Sequence, residues 1–504
     1  DETGNVARIV RNYTVKGNAL FLMALADGAL TQAQTGLDGV SSKSTIDAGN
    51  LKLHGRGALY LKARLKGNEI IKKIRVTAFA DSTKEKEFSS FVDQVIDPER
   101  HYPVYGDTST EHADVKARGK FYVAVDLDDS KVIFGTFKPD DWGLSLLRYE
   151  RTQEGAYVLL KKAFKPGYET VVEGFFSYDN VNVRRGFAVL RGTGGSYYFL
   201  PDKDLIQGSE NIIISIHDRD NGGELQRVQQ LRSIDYEIDY QGGRVVFKKP
   251  VPSRVNSSFL IGASDSMSGL LTLDGHEVRI VVDYQTRSVK DIGDKSFGVR
   301  GSQQIAKMVT VRGGYIQEGA ASNSGESSDY KVYGAGIKVN PTKTTIIDAE
   351  WAESKSNNGV HSISHDGGLS FKNIGTPQGE SNSGEGISIS AETDIGEFLG
   401  KEEPFLKLRA NYRKQDRGFV STGTIMEQGS ERAGGEALWN IARGQRLILR
   451  HDTLIFSDPD PESVDVIRER TRMLTSAQYT HRMGKWTYVG EVLHSIATTD
   501  SGDD

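Results

Sequence analysis

Phe405-Leu-Lys-Leu-Arg-Ala-Asn-Tyr-Arg413 alternates residue by residue. Leu406, Leu408, Ala410 and Tyr412 fall on one face, and Lys407, Arg409 and Asn411 on the other. Successive side chains of a strand point to opposite sides, so this period of two specifies a strand with one apolar and one charged face. The same period runs through residues 308–317, 330–339, 344–353, 386–394, 434–443 and 473–482. In residues 485–494, Trp486, Tyr488, Gly490 and Val492 share a face, while Val489 and Leu493 interrupt the polar one. Each run is about 9–11 residues long. That exceeds the five or six of an ordinary globular strand and matches what a tilted strand needs to cross a bilayer.

Polar, Gly/Ser/Asn-rich connectors separate these runs: residues 319–329, 354–359, 376–384 and the Pro-interrupted Asp458-Pro-Asp-Pro-Glu462. Tight links such as Asn340-Pro-Thr-Lys343 and Met483-Gly484 alternate with them. Long loops alternating with short turns are the signature of an up-and-down membrane barrel. The first half is denser. Residues 56–65 and 72–80 form a hairpin candidate about Lys66-Gly-Asn68, and strands are expected at 119–127, 131–137 and 171–178. Only Gln226 to Arg232 suggests a helix, of one or two turns. The apolar run Ala19-Leu-Phe-Leu-Met-Ala-Leu-Ala26 follows Arg8, Arg11 and Lys16 and reads either as a secretory signal or as a strand ending at Asp27-Gly28; the strand reading is preferred. It implies that any export signal lies outside these residues. The terminal Thr499-Asp-Ser-Gly-Asp-Asp504 lacks a final aromatic, so a barrel reading implies a fragment or a barrel that continues further.

Composition bounds the function. The 504 residues carry 63 Lys+Arg against 68 Asp+Glu, a net charge of −5 that excludes a strongly basic nucleic-acid surface. There is no cysteine, which excludes disulfides, thiolate nucleophiles and Cys-ligated metals. No apolar stretch approaches 18 residues, so no membrane-spanning helix is available. Mean hydropathy is −0.44 with 55 Gly, 20 Tyr and 20 Phe, values that fit either a transmembrane barrel or a soluble β-array.

Residues 191–252 differ in texture and read as a compact β-module. Arg191-Gly-Thr-Gly-Gly-Ser-Tyr-Tyr-Phe-Leu200 leads to Ile212-Ile-Ile-Ser-Ile-His-Asp218. Ile234-Asp-Tyr-Glu-Ile-Asp-Tyr240 and Arg244-Val-Val-Phe247 then flank Gln241-Gly-Gly243, a hairpin signature. Asp97-Pro-Glu-Arg-His-Tyr-Pro-Val-Tyr-Gly-Asp107, Arg191 to Leu200, Gly208-Ser-Glu210 and Asp235 to Arg244 together resemble a family of large, mostly uncharacterised outer-membrane β-barrel proteins of Gram-negative bacteria. The hairpin itself resembles elements of very large outer-membrane translocons. The resemblance covers about residues 55–250 and implies an outer-membrane location, with no reaction or substrate attached.

Asp218-Arg-Asp-Asn-Gly-Gly-Glu224 spaces Asp218 and Asp220 as a calcium loop would, but lacks the twelve-residue ligand pattern and reads as an acidic turn. His361 and His365 would lie roughly 13 Å apart on a strand, too far to share a metal. Arg191-Gly-Thr-Gly-Gly-Ser196 lacks the Lys-Ser/Thr of a phosphate loop, and Asp126-Leu-Asp-Asp129 reads as a hairpin turn. Tyr102, Tyr105, Tyr197, Tyr198 and Trp486 suit an interfacial girdle or a core. Lys62, Arg64, Lys407 and Arg409 are expected to face a lumen. No catalytic, cofactor-binding or metal residue is assigned.

The fold expected is all-β, a transmembrane antiparallel barrel with a small inserted module: barrel strands in 1–190, the module in 191–252 and barrel strands with long polar loops in 253–504. Its function would be transport or pore formation, surface display or envelope organisation. Its partners would be outer-membrane lipid and either other envelope proteins or a small solute, without nucleic acid and without catalysis. The alternative is a soluble, secreted multi-domain β-protein acting as an adhesin or carbohydrate-binding module; a hydrolase on a β-scaffold ranks third. The two leading readings differ in where Leu406, Leu408, Ala410 and Tyr412 point.

Overall fold

The computed structural model describes residues 19–32, 51–67, 71–82, 119–140, 143–179, 183–218, 223–255, 275–287, 292–322, 327–356, 361–374, 382–401, 403–421, 429–459 and 467–500. The sheet wall starts with β1 Ala19–Gln32, β2 Leu51–Lys66, β3 Lys73–Asp81, β4 Phe121–Leu127, β5 Ser130–Phe137, β6 Gln153–Lys165 and β7 Tyr168–Asp179. It resumes with β16 Ile292–Ile305, β17 Val309–Ser322, β18 Ser327–Val339 and β19 Ile346–Ser356. It ends with β22 Asn382–Asp394, β23 Leu406–Gln415, β24 Ser430–Ala442, β25 Gln445–Pro459, β26 Ile467–Met483 and β27 Trp486–Asp500. Each of these strands is antiparallel to the next, and β7 pairs directly with β16, so seventeen strands make one continuous meander. Because seventeen is odd, β1 and β27 run the same way. Among the described residues no ladder joins them.

Register decides the architecture. Directly opposed residues form a row across nine strands from β17 to β27: Val311, Ile337, Ala349, Ile389, Tyr412, Ala433, Thr453, Met473 and Ile496. None is charged, and Val311, Ile337, Ile389, Met473 and Ile496 are exposed. One residue along, the opposite face reads Arg312, Gly336, Glu350, Ser388, Arg413, Arg432, Leu454 and Arg472. Apolar side chains face outward and charges are enclosed, the inverse of a soluble protein and the arrangement of a barrel wall facing hydrocarbon. Leu408 and Ala410 are exposed on that outer face. No second sheet covers it among the described residues, so the sandwich alternative loses its packed core. Aromatic rings add a band there: Phe297, Tyr315, Tyr333 and Trp351 stand on four successive strands with centroids 5.5, 6.5 and 5.9 Å apart.

The rims are unequal. Short links (residues 128–129, 166–167, 306–308, 443–444 and 484–485) lie at one rim together with the connections 67–72, 340–345 and 395–405, and the longest connections lie at the other. The longest inserted fold sits between β7 and β16. It comprises β8 Val183–Arg191, β9 Tyr197–Phe199, β10 Asn211–His217, β11 Glu224–Gln229, β12 Tyr236–Asp239, β13 Arg244–Phe247, β14 Arg254–Val255 and β15 His276–Arg287. One sheet runs β11-β10-β15-β8 and is extended by β20 His361–Ser364 and β21 Lys372–Ile374, a hairpin lent by the β19–β22 connection. The other runs β12-β13-β9. Between them lies an apolar core with Leu190, Tyr198, Ile212, Ile280 and Val282. The two-sheet fold thus reaches beyond residues 191–252 at both ends, because β8 and β15 pair with each other from Val183 to Arg287.

Two sequence expectations need correction. The strand at Ala19 does not stop at Asp27-Gly28 but continues to Gln32, because Asp27 and Gly28 stay in register with Arg56 and Gly55. The helical turn expected at Gln226 to Arg232 is the edge strand β11, whose backbone pairs with β10 at Val228 and Ile214. The hydrogen bonds of a neighbouring strand outweigh a weak helical period.

The outer face predicts a positional penalty. Leu449→Arg, outward and mid-strand, should cost about 2–4 kcal/mol in a bilayer. Asn411→Arg, inward and water-exposed, should change stability by less than about 0.5 kcal/mol. Urea unfolding from phospholipid vesicles measures both.

Candidate functional site in the barrel lumen

The inner wall carries charge that its own strands only partly balance. Glu173 of β7 is fully buried and is paired by Arg300 of β16. Arg312 of β17 is bonded to Asp348 of β19. Further along, Arg409 lies 3.2 Å from Glu392 and 3.6 Å from Glu436, as the inward face read from sequence requires.

A segment between β5 and β6 descends into this space. Its turn Ser145–Leu147 rests on Glu350 of β19, whose carboxylate accepts from the Ser145 amide at 2.7 Å, its hydroxyl at 2.9 Å and the Leu146 amide at 3.3 Å. Arg413 of β23 donates to the Ser145 hydroxyl at 2.9 Å, and Arg312 donates to the Gly143 carbonyl. Leu144 and Leu147 pack over Gly336 and Gly334 of β18. A Cβ at Gly334 would stand 2.5 Å from Leu147 and one at Gly336 2.6 Å from Leu144, so these inward glycines make the space the segment fills.

The inserted module docks through ions on the β5–β6 segment and, at two points, on the wall itself. Arg151, at the end of the β5–β6 segment, lies 2.7 Å from Asp283 of β15 and 3.0 Å from Glu318 of β17; Arg185 of β8 pairs with the same Glu318. Arg148 meets Glu224 at 2.8 Å, Arg227 meets Glu150 at 2.7 Å, and Lys138 donates to Asn211 and Gln229. Six strands along the wall from β17, Arg450 of β25 reaches Asp218 at 3.1 Å. The module therefore touches both sides of the curved wall. Burial pushes the Glu224 carboxyl up, but Arg148, Arg227 and the Ser215 hydroxyl together hold it below its ordinary value.

Within the module, Glu210 is buried and accepts from Tyr240 at 2.8 Å and Tyr236 at 3.3 Å, both from the Asp235–Arg244 stretch. Among the described residues its second oxygen has no hydrogen-bond partner. Burial raises its pKa against the pull of Arg232 and the two hydroxyls. Asp239 closes the hairpin by accepting from the Gln241 and Gly242 amides at 3.1 Å and from Arg244 Nε at 3.0 Å.

The residues weighed from sequence fall as follows. Asp218 is engaged by Arg450, and Asp220 lies outside the described residues. No group of three or more His, Asp or Glu able to hold a metal occurs among the described residues. His365 is exposed beyond β20, and the His361 side chain lies outside the description. Arg191 to Ser196 forms a turn in which Tyr198 receives the Thr193 amide at 3.0 Å. Asp126 to Asp129 turns β4 into β5, with Asp128 at φ 54°. Tyr198 is core, Tyr197 is exposed, and Trp486 is exposed on the outer face of β27. Tyr102, Tyr105 and the whole stretch from Asp97 to Asp107 lie outside the described residues. Sequence reasoning missed the β5–β6 segment, whose signal was the apolar Leu144-Ser-Leu-Leu147 in a connection otherwise polar.

Two outcomes are expected. Arg300→Ala, which strips Glu173 of its guanidinium, should lower stability by about 3–5 kcal/mol in urea, whereas replacing both residues with Leu should be far milder. Because Glu210 has a raised folded pKa, it favours folding below the ordinary carboxyl value of 4.5 and loses that advantage as pH rises toward the raised value. Glu210→Gln should accordingly gain in thermal midpoint relative to the wild type as pH increases above 4.5.

No protein-family model matches the chain, and no curated protein matches it. Among solved structures it aligns with OccK8 (OprE) of Pseudomonas aeruginosa at 10% identity and a TM-score of 0.30, over 95% of this chain and 94% of that one. OccAB3 of Acinetobacter baumannii aligns at 9% and 0.29, over 95% and 93%. A BenF-like porin of Pseudomonas fluorescens aligns at 8% and 0.28, over 95% and 94%. Similarity this distant adds no argument, and the functional reading rests on the geometry above.

Proposed function

We propose that the protein is a bacterial outer-membrane β-barrel that conducts a small solute, and that the inserted module with the β5–β6 segment forms its plug. The carrying observation is the uncharged, exposed row from Val311 to Ile496 set back to back with an enclosed charged face. Such a wall is stable only with hydrocarbon outside and polar partners inside. The partners are lipid on the outer face and a solute in the lumen. The work is passage and its control, without catalysis. Kinship with the outer-membrane family that the motifs resemble belongs to the same proposal and is supported by the Asp235–Arg244 hairpin, which supplies both tyrosines to Glu210.

The module meets the wall through charges, whereas the β5–β6 segment is held there by an apolar cluster of Leu144, Leu146, Leu147 and Tyr149 with Phe175, Ile316, Val332 and Ala352. The module's apolar core lies between its own two sheets; Arg151, Arg185 and Asp218 reach Glu318 and Arg450 of the wall, while Glu224 and Arg227 tie the module to Arg148 and Glu150 of the β5–β6 segment. These pairs are nearly buried, so parting one without a replacement would cost about 3–5 kcal/mol, and a solute or a second charged group must take over each freed charge as the module moves. Asp218→Arg and Arg450→Asp should each raise the open fraction in planar-bilayer recordings, and the double swap should restore the closed behaviour. Unchanged conductance in both singles would remove the module from the conduction path.

A further inference from the structure

The lumen wall away from the plug has a feature that sheet formation alone disfavours. Arg64 of β2 is directly opposite Arg75 of β3, and two residues along, Lys66 is opposite Lys73. Like charges facing across a strand pair destabilise it, and here two such pairs are stacked on one face. That face is the inner one: the register row runs Arg64, Arg75, Asp126, Lys131, Leu159 and then Glu173, the buried carboxylate of the lumen. Where a sequence breaks a local pairing rule twice in succession, a function is the usual compensation.

These cations line a cavity of about 600 Å³ at the short-link ends of β2 to β5. Six cations line it against three carboxylates, Asp126, Asp128 and Asp129, so the carboxylates do not neutralise them. Asp128 is committed to the Lys72 and Lys73 amides at 3.0 and 2.9 Å, bracing the turn. Asp126 is shared between Arg75 at 3.8 Å and Lys131 at 3.9 Å, both loose and more than two-fifths exposed. Among the described residues, Arg64, Lys66 and Lys73 make no ion pair. The cations where plug and wall meet differ, since Arg151 and Arg185 of the plug and Arg450 of the wall are each matched by a carboxylate.

We propose that this cavity binds a small phosphate-type oxyanion from the lumen, clasped between Arg64, Arg75 and Lys131 and relieving the repulsion of the stacked pairs. Guanidinium groups present paired donors that match the edge of an oxyanion, and an anion between two facing cations turns a repulsive pair into an attractive one. That the cavity opens to the lumen rests on the barrel reading; the binding itself does not.

The test uses the full chain in detergent, with thermal unfolding followed during titration with inorganic phosphate against chloride at matched ionic strength. A saturable rise in midpoint with phosphate alone is expected. The Arg64→Gln/Lys66→Gln variant should be at least as stable as the wild type without phosphate, because repulsion is removed, yet need at least tenfold more phosphate for half its effect. Lys131→Gln provides a second variant that leaves both stacked pairs in place and should weaken the phosphate response. Equal responses to phosphate and chloride would overturn the proposal, as would a double variant that responds like the wild type. Protection by phosphatidylglycerol vesicles without protection by inorganic phosphate would assign the cations to a lipid headgroup and also overturn it. Channel recordings fail separately: a protein that binds phosphate yet conducts nothing would refute the pore and keep the site.

Discussion

A strand beside hydrocarbon has one source of backbone hydrogen bonds, its neighbouring strands. Everything else in this protein follows from that constraint. It forces the seventeen wall strands into an unbroken antiparallel series in which β7 continues directly into β16 although the whole inserted module separates them in sequence. It also fixes the side-chain period at two, so an outward face of Val311, Ile389 and Met473 entails an inward face of Arg312, Ser388 and Arg472. The charges are enclosed because the pleat leaves them nowhere else to go.

Enclosed charge then needs partners, and the longer connections supply many of them. Glu350 is met by the Ser145 turn, Glu318 by Arg151 and Arg185, and Arg450 by Asp218. The wall and its contents are in this sense one electrostatic object: Glu318 is stable where it is because two guanidinium groups from elsewhere reach it. The β2–β5 part of the wall departs from that rule by setting cation against cation, and it is there that a solute has most to offer.

The legibility of this arrangement varied with the inner face. Strands β22 and β23 were readable because their lumen sides are polar or glycine and their lipid sides mostly apolar. β6 went unread because both of its faces are apolar: Val158 and Leu160 point outward, while Tyr157 and Leu159 pack inward near Tyr149 and Phe175. β25 was masked in the same way by inward Ile448 and Leu454, and β16 by Gly301 and Gln303 on its outward face. The module's hairpin was legible from its local turn, since Asp239, Gly242, Gly243 and Arg244 act within six residues. Its docking was not. The contacts that hold it join residues 73 to 232 positions apart, and no local period encodes which distant carboxylate meets which arginine.

The central claim is that one face of the wall meets lipid and the other an enclosed polar space. Because the chain has no cysteine, single cysteines can be placed at 407 through 412 in turn and spin-labelled in lipid vesicles. The account predicts collision with oxygen at 408, 410 and 412 and with a water-soluble nickel chelate at 407, 409 and 411. Equal accessibility at all six, or oxygen preference at the odd positions, would contradict it.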